Sequence, residues 1–320
     1  MSGTIAAVVP QLTDGQRERI RRTAEGYGYE IRFLREPGED PGYLREAEIV
    51  FGHVPEAART STALRWICTP YAGVDQFTGP GAFANPEAAL TNSSGAYGVT
   101  IAEHTVMMLL DILRRQGEYR QIVRRREWTR DLTVRSIRDS RILLLGTGDI
   151  GRETAKRLRA FDPAGLTGVN RSGKAPEGFF DRILTREGWE AALPETDVLV
   201  ISLPGTRDTY HMVDAERLAL LPDGAVIINV GRGSVIDQEA LARELKKGRL
   251  YAGLDVFETE PLPADDPVWE LPNLLITPHT AGNMTLAYTV EKIVEMFLED
   301  LGNYHDGRPL RRLVDRNAGY

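Results

Sequence analysis

Short apolar runs alternate along the chain with longer polar stretches of helical period, the rhythm of an α/β protein. Ile5-Ala-Ala-Val-Val9, Glu48-Ile-Val-Phe51 and Trp66-Ile-Cys68 read as strands and Asp14 to Ala24 as a helix, together a first, smaller α/β unit. From Thr100 to Trp128 the period lengthens. Ile101, His104, Thr105, Met108, Leu109 and Ile112 recur every three or four positions, which predicts one long helix leading through a basic stretch, Arg114 to Arg126. A second series of apolar runs follows: Arg141-Ile-Leu-Leu-Leu145, Leu166-Thr-Gly-Val169, Asp197-Val-Leu-Val-Ile-Ser202, Gly224-Ala-Val-Ile-Ile-Asn229, Tyr251-Ala-Gly-Leu-Asp255 and Asn273-Leu-Leu-Ile-Thr277. Six strands apolar on both faces predict a parallel, doubly wound sheet. A last helix, Thr285 to Asn303, is expected to return the chain to the first unit.

Composition sharpens this picture without redirecting it. At 320 residues the chain suggests two domains, each large enough for its own core, and 42% hydrophobic with 27% charged residues is ordinary for a globular protein. A net charge of −7 offers nothing to a nucleic acid, and Arg124-Arg-Arg126 reads as a solvated helix face. Cys68, the only cysteine, excludes an intrachain disulfide and sits in an apolar stretch as a small hydrophobe. Neither a signal-type apolar core nor an 18-residue apolar run opens the chain, so a soluble, cytoplasmic protein without membrane or nucleic-acid partners is expected. No metal site is read.

The chemistry gathers at the ends of the later strands. Gly146-x-Gly148-x-x-Gly151 follows one strand and opens a helix-like segment, the context a dinucleotide loop requires. Gly146 permits the tight turn, Gly148 lets backbone approach a pyrophosphate, and Gly151 lets helix and strand pack closely. At the end of the next strand, where an acid would hold the ribose of NAD(H), stands Asn170-Arg-Ser-Gly-Lys174. A cation and a hydroxyl, Arg171 and Ser172, suit a 2′-phosphate, which favours NADP(H) over NAD(H). The alternative has Arg171 solvated and Asn170 serving the ribose. Arg232, Glu260 and His279 each follow an apolar run, and they offer an anion clamp, an orienting carboxylate and an acid/base. Glu258 competes for the carboxylate role, but its spacing from Asp255 is less suitable. His104, His211 and His305 read as structural or exposed. The set suits hydride transfer to a 2-keto acid.

With Ala72-Gly-Val-Asp75, Asn92-Ser-Ser-Gly-Ala-Tyr-Gly-Val-Thr-Ile-Ala-Glu103, Leu203-Pro-Gly-Thr206, Val230-Gly-Arg-Gly233, Leu254-Asp-Val-Phe-Glu-Thr-Glu-Pro261 and Thr277-Pro-His279 added to the glycine loop, nearly the whole chain resembles the D-isomer-specific 2-hydroxyacid dehydrogenase family. The resemblance implies two Rossmann-like domains. A larger dinucleotide-binding domain, 101–283, is inserted in a smaller flavodoxin-like substrate domain made of 1–100 and 284–320. It implies that Arg232 grips the substrate carboxylate, that His279 exchanges the proton and that Glu260 is its partner. It places Thr100, Gly146, Gly148, Asp149, Ile150, Gly151, Asn170, Arg171, Ser172, Leu203, Pro204, Val230, Gly231, Asp255, His279 and Gly282 at the cofactor. His53, Tyr71, Ala72, Gly73 and Val74 are expected on the substrate side.

A homodimer is implied, with Trp128 either reaching across it or packing locally. Domain closure is expected to hinge near 98–102 and 283–288. Glu260 weighs against the formate-oxidising branch, which carries an amide there. Glyoxylate or hydroxypyruvate reduction is the expected reaction, and the alternative is a nucleotide-sensing dimer of the family's corepressor branch with little turnover.

Overall fold

The computed structural model describes residues 3–174 and 178–316, which divide into two compact units. Met1–Tyr97 with Asn283–Tyr320 make one, and Gly98–Gly282 the other. The chain passes between them at Gly98 and Asn283.

The first unit runs β1 (Thr4–Val8), α1 (Asp14–Gly26), β2 (Glu30–Phe33), α2 (Pro41–Glu46), β3 (Ile49–Gly52), α3 (Pro55–Thr60), β4 (Trp66–Cys68) and β5 (Ala89–Thr91). Its five strands are all parallel in the order β2-β1-β3-β4-β5, the flavodoxin-like arrangement. Local chemistry sets the helix starts: Thr13 caps α1 and Gln16 reaches back to the Thr13 N–H, a full capping box, while Ile20 and Ala24 face inward. The two strands that the apolar pattern does not reveal are the edges. In β2 the side chains of Glu30 and Arg32 alternate with half-buried Ile31 and Phe33, and β5 is three residues long.

The second unit runs α4 (Gly98–Leu113), α5 (Gln116–Arg124), β6 (Arg141–Leu145), α6 (Asp149–Arg159), β7 (Gly165–Val169), β8 (Arg182–Leu184), β9 (Val198–Ile201), α7 (Ala215–Leu220), β10 (Val226–Asn229), α8 (Gln238–Lys246), β11 (Tyr251–Leu254) and β12 (Leu274–Ile276). After it, α9 (Ala287–His305) belongs to the first unit, where Phe297 stacks on Phe51 with ring centroids 4.0 Å apart. The sheet is wholly parallel, ordered β12-β11-β10-β9-β6-β7-β8, and holds the six expected strands plus β8, a short edge strand. Central strands such as β9 and β10 are buried on both faces, which is why they read as unbroken apolar runs. Each fully buried Val or Ile there contributes about 1.5–3 kcal/mol relative to exposure. The chain leaves β6 in both directions across the sheet, so the topological switch lies between β6 and β9, where such sheets bind ligands.

The single long helix expected from Thr100 to Trp128 is instead two. Arg115 adopts a left-handed conformation, φ 53°, and the Leu113 carbonyl accepts from the Arg135 N–H at 2.8 Å, so the helical ladder ends at Leu113. Trp128 lies beyond α5 with 92% of its surface exposed, not on a helix. Among the described residues no helix is long and apolar enough to cross a membrane, and no cluster of three or more His, Cys, Asp or Glu side chains is placed to hold a metal ion.

Candidate active site

Between β6 and α6 the glycines have distinct physical duties. Gly146 takes φ 102°, and a Cβ there would lie 2.8 Å from Ser202 Oγ on the strand-end loop after β9. A Cβ at Gly151 would strike the Gly146 carbonyl at 2.1 Å, so this glycine sets how closely α6 meets the sheet. A Cβ at Gly148, by contrast, would meet open space, and Gly148 caps α6 with no side chain. A helix start without a capping side chain, reached over a glycine with open space beside it, is what a pyrophosphate requires, so the turn fits a dinucleotide. Asp149, next along, turns its carboxylate onto Gly98: a Cβ on Gly98 would lie 2.3 Å from Asp149 Oδ2. Burial raises the Asp149 pKa, the Gly98 N–H opposing.

At the end of β7, Asn170 folds its own loop. Its Oδ1 accepts from the N–H groups of Ser172 at 3.0 Å and Gly173 at 2.8 Å, and its Nδ2 donates to the Lys174 carbonyl at 2.7 Å and Thr147 Oγ1 at 2.6 Å. That turn presents Arg171, Ser172 and Lys174 as exposed side chains, with no carboxylate among residues 170–174.

The three expected chemical groups leave the neighbouring strands β10, β11 and β12 at the same end of the sheet. After β10, buried Asn229 ties the Val230-Gly-Arg232 turn, accepting from the Gly231 N–H at 3.0 Å and donating to the Arg232 carbonyl at 3.0 Å. Gly231 must be glycine, because a Cβ would sit 2.5 Å from the Leu203 carbonyl oxygen, and a Cβ on Gly233 would sit 1.9 Å from the Phe257 carbonyl carbon. The Arg232 side chain lies over Gly205, where a Cβ would meet Arg232 Cγ at 3.2 Å.

After β11, Glu260 Oε1 accepts the Phe257 N–H at 2.9 Å, and Oε2 lies 2.6 Å from His279 Nδ1. Glu258 has other partners, His211 Nε2 at 3.1 Å and the Gln238 N–H at 2.8 Å, so geometry selects Glu260 as the partner of His279. His279 itself takes φ 53°, and its N–H donates to both the Asp255 carbonyl at 2.9 Å and the Thr277 carbonyl at 3.0 Å. A left-handed non-glycine residue fixed in this way is strained backbone of the kind concentrated at functional sites.

Asp255, 1% exposed, directs its carboxylate to the same loop: Oδ1 accepts from Thr277 Oγ1 at 2.5 Å and the Thr280 N–H at 2.9 Å, and Oδ2 accepts from the Ala281 N–H at 3.1 Å. His104, grouped by sequence with the structural or exposed histidines, joins this cluster through Thr277 Oγ1 at 3.0 Å. Its place on the apolar stripe of α4 gives no sign of this contact, which joins positions 173 apart in the sequence. His211 stacks on Tyr210 and His305 on Tyr27, with ring centroids 4.0 and 4.5 Å apart. Thr100 lies in the first turn of α4, and Leu203 and Pro204 follow β9.

In the first unit, His53 follows β3 and its Nδ1 lies 3.0 Å from Thr69 Oγ1 after β4, with the rings of Tyr71 and Phe77 meeting it edge-on at 5.1 Å each. Burial lowers its pKa, a hydrogen bond with Gln76 opposing, so the imidazole tends to the neutral form. Asn92 Nδ2 donates to the Ala72 carbonyl at 2.9 Å, bracing the loop that carries Gly73 and buried Val74.

The model of the D-isomer specific 2-hydroxyacid dehydrogenase NAD-binding domain matches residues 106–281. Glyoxylate/hydroxypyruvate reductase B of Yersinia enterocolitica is 35% identical over 222 residues, 68% of this chain and 67% of that protein. A D-isomer specific 2-hydroxyacid dehydrogenase family protein of Aeromonas salmonicida superposes with a TM-score of 0.87 at 30% identity, covering 99% of this chain and all of that one. The NADPH-dependent glyoxylate/hydroxypyruvate reductase of Sinorhizobium meliloti, solved with NADP and sulfate, superposes at 0.81 with 28% identity over the full length of both chains. Fold, glycine turn and relatives together define an oxidoreductase that uses a nicotinamide dinucleotide. The chain belongs to the D-isomer-specific 2-hydroxyacid dehydrogenase family.

Proposed function

We propose that this chain reduces glyoxylate to glycolate, or hydroxypyruvate to D-glycerate, with NADPH, acting as a cytoplasmic homodimer. The observation that carries the reading is the 2.6 Å contact between His279 Nδ1 and Glu260 Oε2, one strand removed from Arg232. Glu260 holds Nδ1, so Nε2 is the atom left to give a proton to the keto oxygen. Arg232 grips the substrate carboxylate and steadies charge as it develops on that oxygen. In the first unit, the backbone N–H groups of Gly73 and Val74 are the donors proposed for substrate. His53 and Ala72 line the substrate side.

The bound dinucleotide supplies the hydride. Gly146, Gly148, Asp149, Ile150 and Gly151 form its pyrophosphate turn. Thr100, Leu203, Pro204, Val230, Gly231, Asp255 and Gly282 surround the remainder. Preference for the 2′-phosphorylated form is supported by the exposed Arg171, Ser172 and Lys174, by the use of Asn170 within its own loop, and by the NADP held in the Sinorhizobium relative. The substrate assignment is supported by the names of the Yersinia and Sinorhizobium enzymes. Exposed Trp128 beyond α5 supports a dimer in which this side chain meets the partner. Chiral analysis of the glycerate formed from hydroxypyruvate tests the reaction: D-glycerate is expected, and L-glycerate or none would contradict it.

A further inference from the structure

The buried network behind His279 extends to a residue on another element. Thr277 Oγ1 stands 2.5 Å from Asp255 Oδ1, and a carboxylate can only accept, so the single hydroxyl proton of Thr277 points at Asp255. The contact of 3.0 Å between His104 Nε2 and Thr277 Oγ1 then has one direction: the imidazole donates. His104 Nε2 also lies 3.6 Å from Asp255 Oδ1, close enough for the carboxylate to favour a proton on that nitrogen. Burial lowers the imidazole's pKa while Asp255 raises it, so the neutral form is favoured and the carboxylate selects the Nε2–H tautomer.

The direction of donation runs from α4 through Thr277 to Asp255. From there the two carboxylate oxygens fasten the N–H groups of Thr280 and Ala281, and the Asp255 carbonyl fastens that of His279. Every bond in this chain anchors the Thr277–Ala281 loop on which His279 is held left-handed. A buried carboxylate is costly unless its lone pairs are filled, and a donor to the Thr277 oxygen favours the rotamer that keeps its hydroxyl proton on Asp255. His104 is that donor.

We propose that His104 is a positioning residue, whose Nε2–H orients the Thr277 hydroxyl toward Asp255 and thereby keeps the loop carrying His279 in register with Glu260. The proposal rests on the reductase reading for its effect on turnover, but not for its effect on the loop.

The test compares wild type with His104→Leu, which keeps bulk and removes the donor, and His104→Gln, whose amide N–H restores one. Hydrogen–deuterium exchange of the peptide spanning Thr277 to Gly282 is read without cofactor, and kcat and KM are read with NADPH and glyoxylate. In His104→Leu exchange is expected about tenfold faster and kcat about tenfold lower with KM within about twofold, the scale of one lost bond in a charged network. His104→Gln is expected to recover most of both. Unchanged exchange in His104→Leu, or a glutamine variant as defective as leucine, would overturn the proposal. Should His104→Leu fail to fold, Thr277→Val against Thr277→Ser applies the same comparison one link along the chain. If wild type turned over no keto acid, the reductase reading would fail while the exchange result still decided the role of His104.

Discussion

One oxygen of the Glu260 carboxylate lies 2.6 Å from His279 Nδ1 while the other accepts the Phe257 N–H at 2.9 Å. Both oxygens are therefore engaged, which fixes the carboxylate plane and with it the rotation of the imidazole. The arrangement leaves one ring nitrogen for chemistry. His279→Ala should lower kcat by at least about a hundredfold, the range of a lost general acid. Binding of NADPH, followed by its fluorescence, should change only a few-fold. A variant retaining turnover would remove His279 from the reaction.

Arg232 leaves β10 on a turn that Asn229 ties and that Gly231 and Gly233 alone permit. Arg232→Ala should cost about 3 kcal/mol in kcat/KM, comparable to losing a donor to developing charge. A near-normal kcat/KM for glyoxylate would refute the clamp.

Arg171 is the residue proposed to separate the two cofactors. Arg171→Ala should weaken NADPH by at least about tenfold, as loss of a charge-assisted contact does, with little effect on NADH. Titration of each cofactor against the variant measures this directly, and equal weakening of both would place the 2′-phosphate elsewhere.

Asp149 gives a pH signature in stability. Burial raises its pKa in the fold, so the folded state favours the protonated acid. The contribution is present below the unfolded value, about 3.9, and is lost as pH rises through the folded value. Asp149→Asn, of the same shape but never charged, should melt higher than wild type at neutral pH, and the gap should close toward acid. Thermal melts across that range decide it, and a variant less stable at neutral pH would show the Gly98 contact to require the charge.

What the sequence made legible follows from which forces act locally. Strands buried on both faces, such as Val198–Ile201 and Val226–Asn229, appear as apolar runs, and the glycine turn appears because Gly146 and Gly151 obey hard steric limits. Edge strands β5 and β8 are hidden by their shortness, and β2 by its alternation of polar and half-buried positions. The break at Arg115 was hidden because a left-handed arginine carries no compositional signal, so the apolar spacing ran on through it. Glu260 could be preferred over Glu258 by spacing, but only the contacts show Glu258 committed to His211 and Gln238. The contacts of His104 are not legible in the sequence because its partners, Thr277 and Asp255, are more than a hundred residues distant along the chain.

The central claim, reduction of a 2-keto acid by NADPH at the Arg232, Glu260 and His279 site, is tested most directly by initial rates of reduced-nicotinamide oxidation. NADPH and NADH would each be paired with glyoxylate, hydroxypyruvate, pyruvate, 2-ketoisocaproate and phenylpyruvate. The account predicts rapid oxidation of NADPH with glyoxylate or hydroxypyruvate and slower oxidation of NADH. Absence of turnover with every pair, from folded protein that binds the dinucleotide, would contradict it.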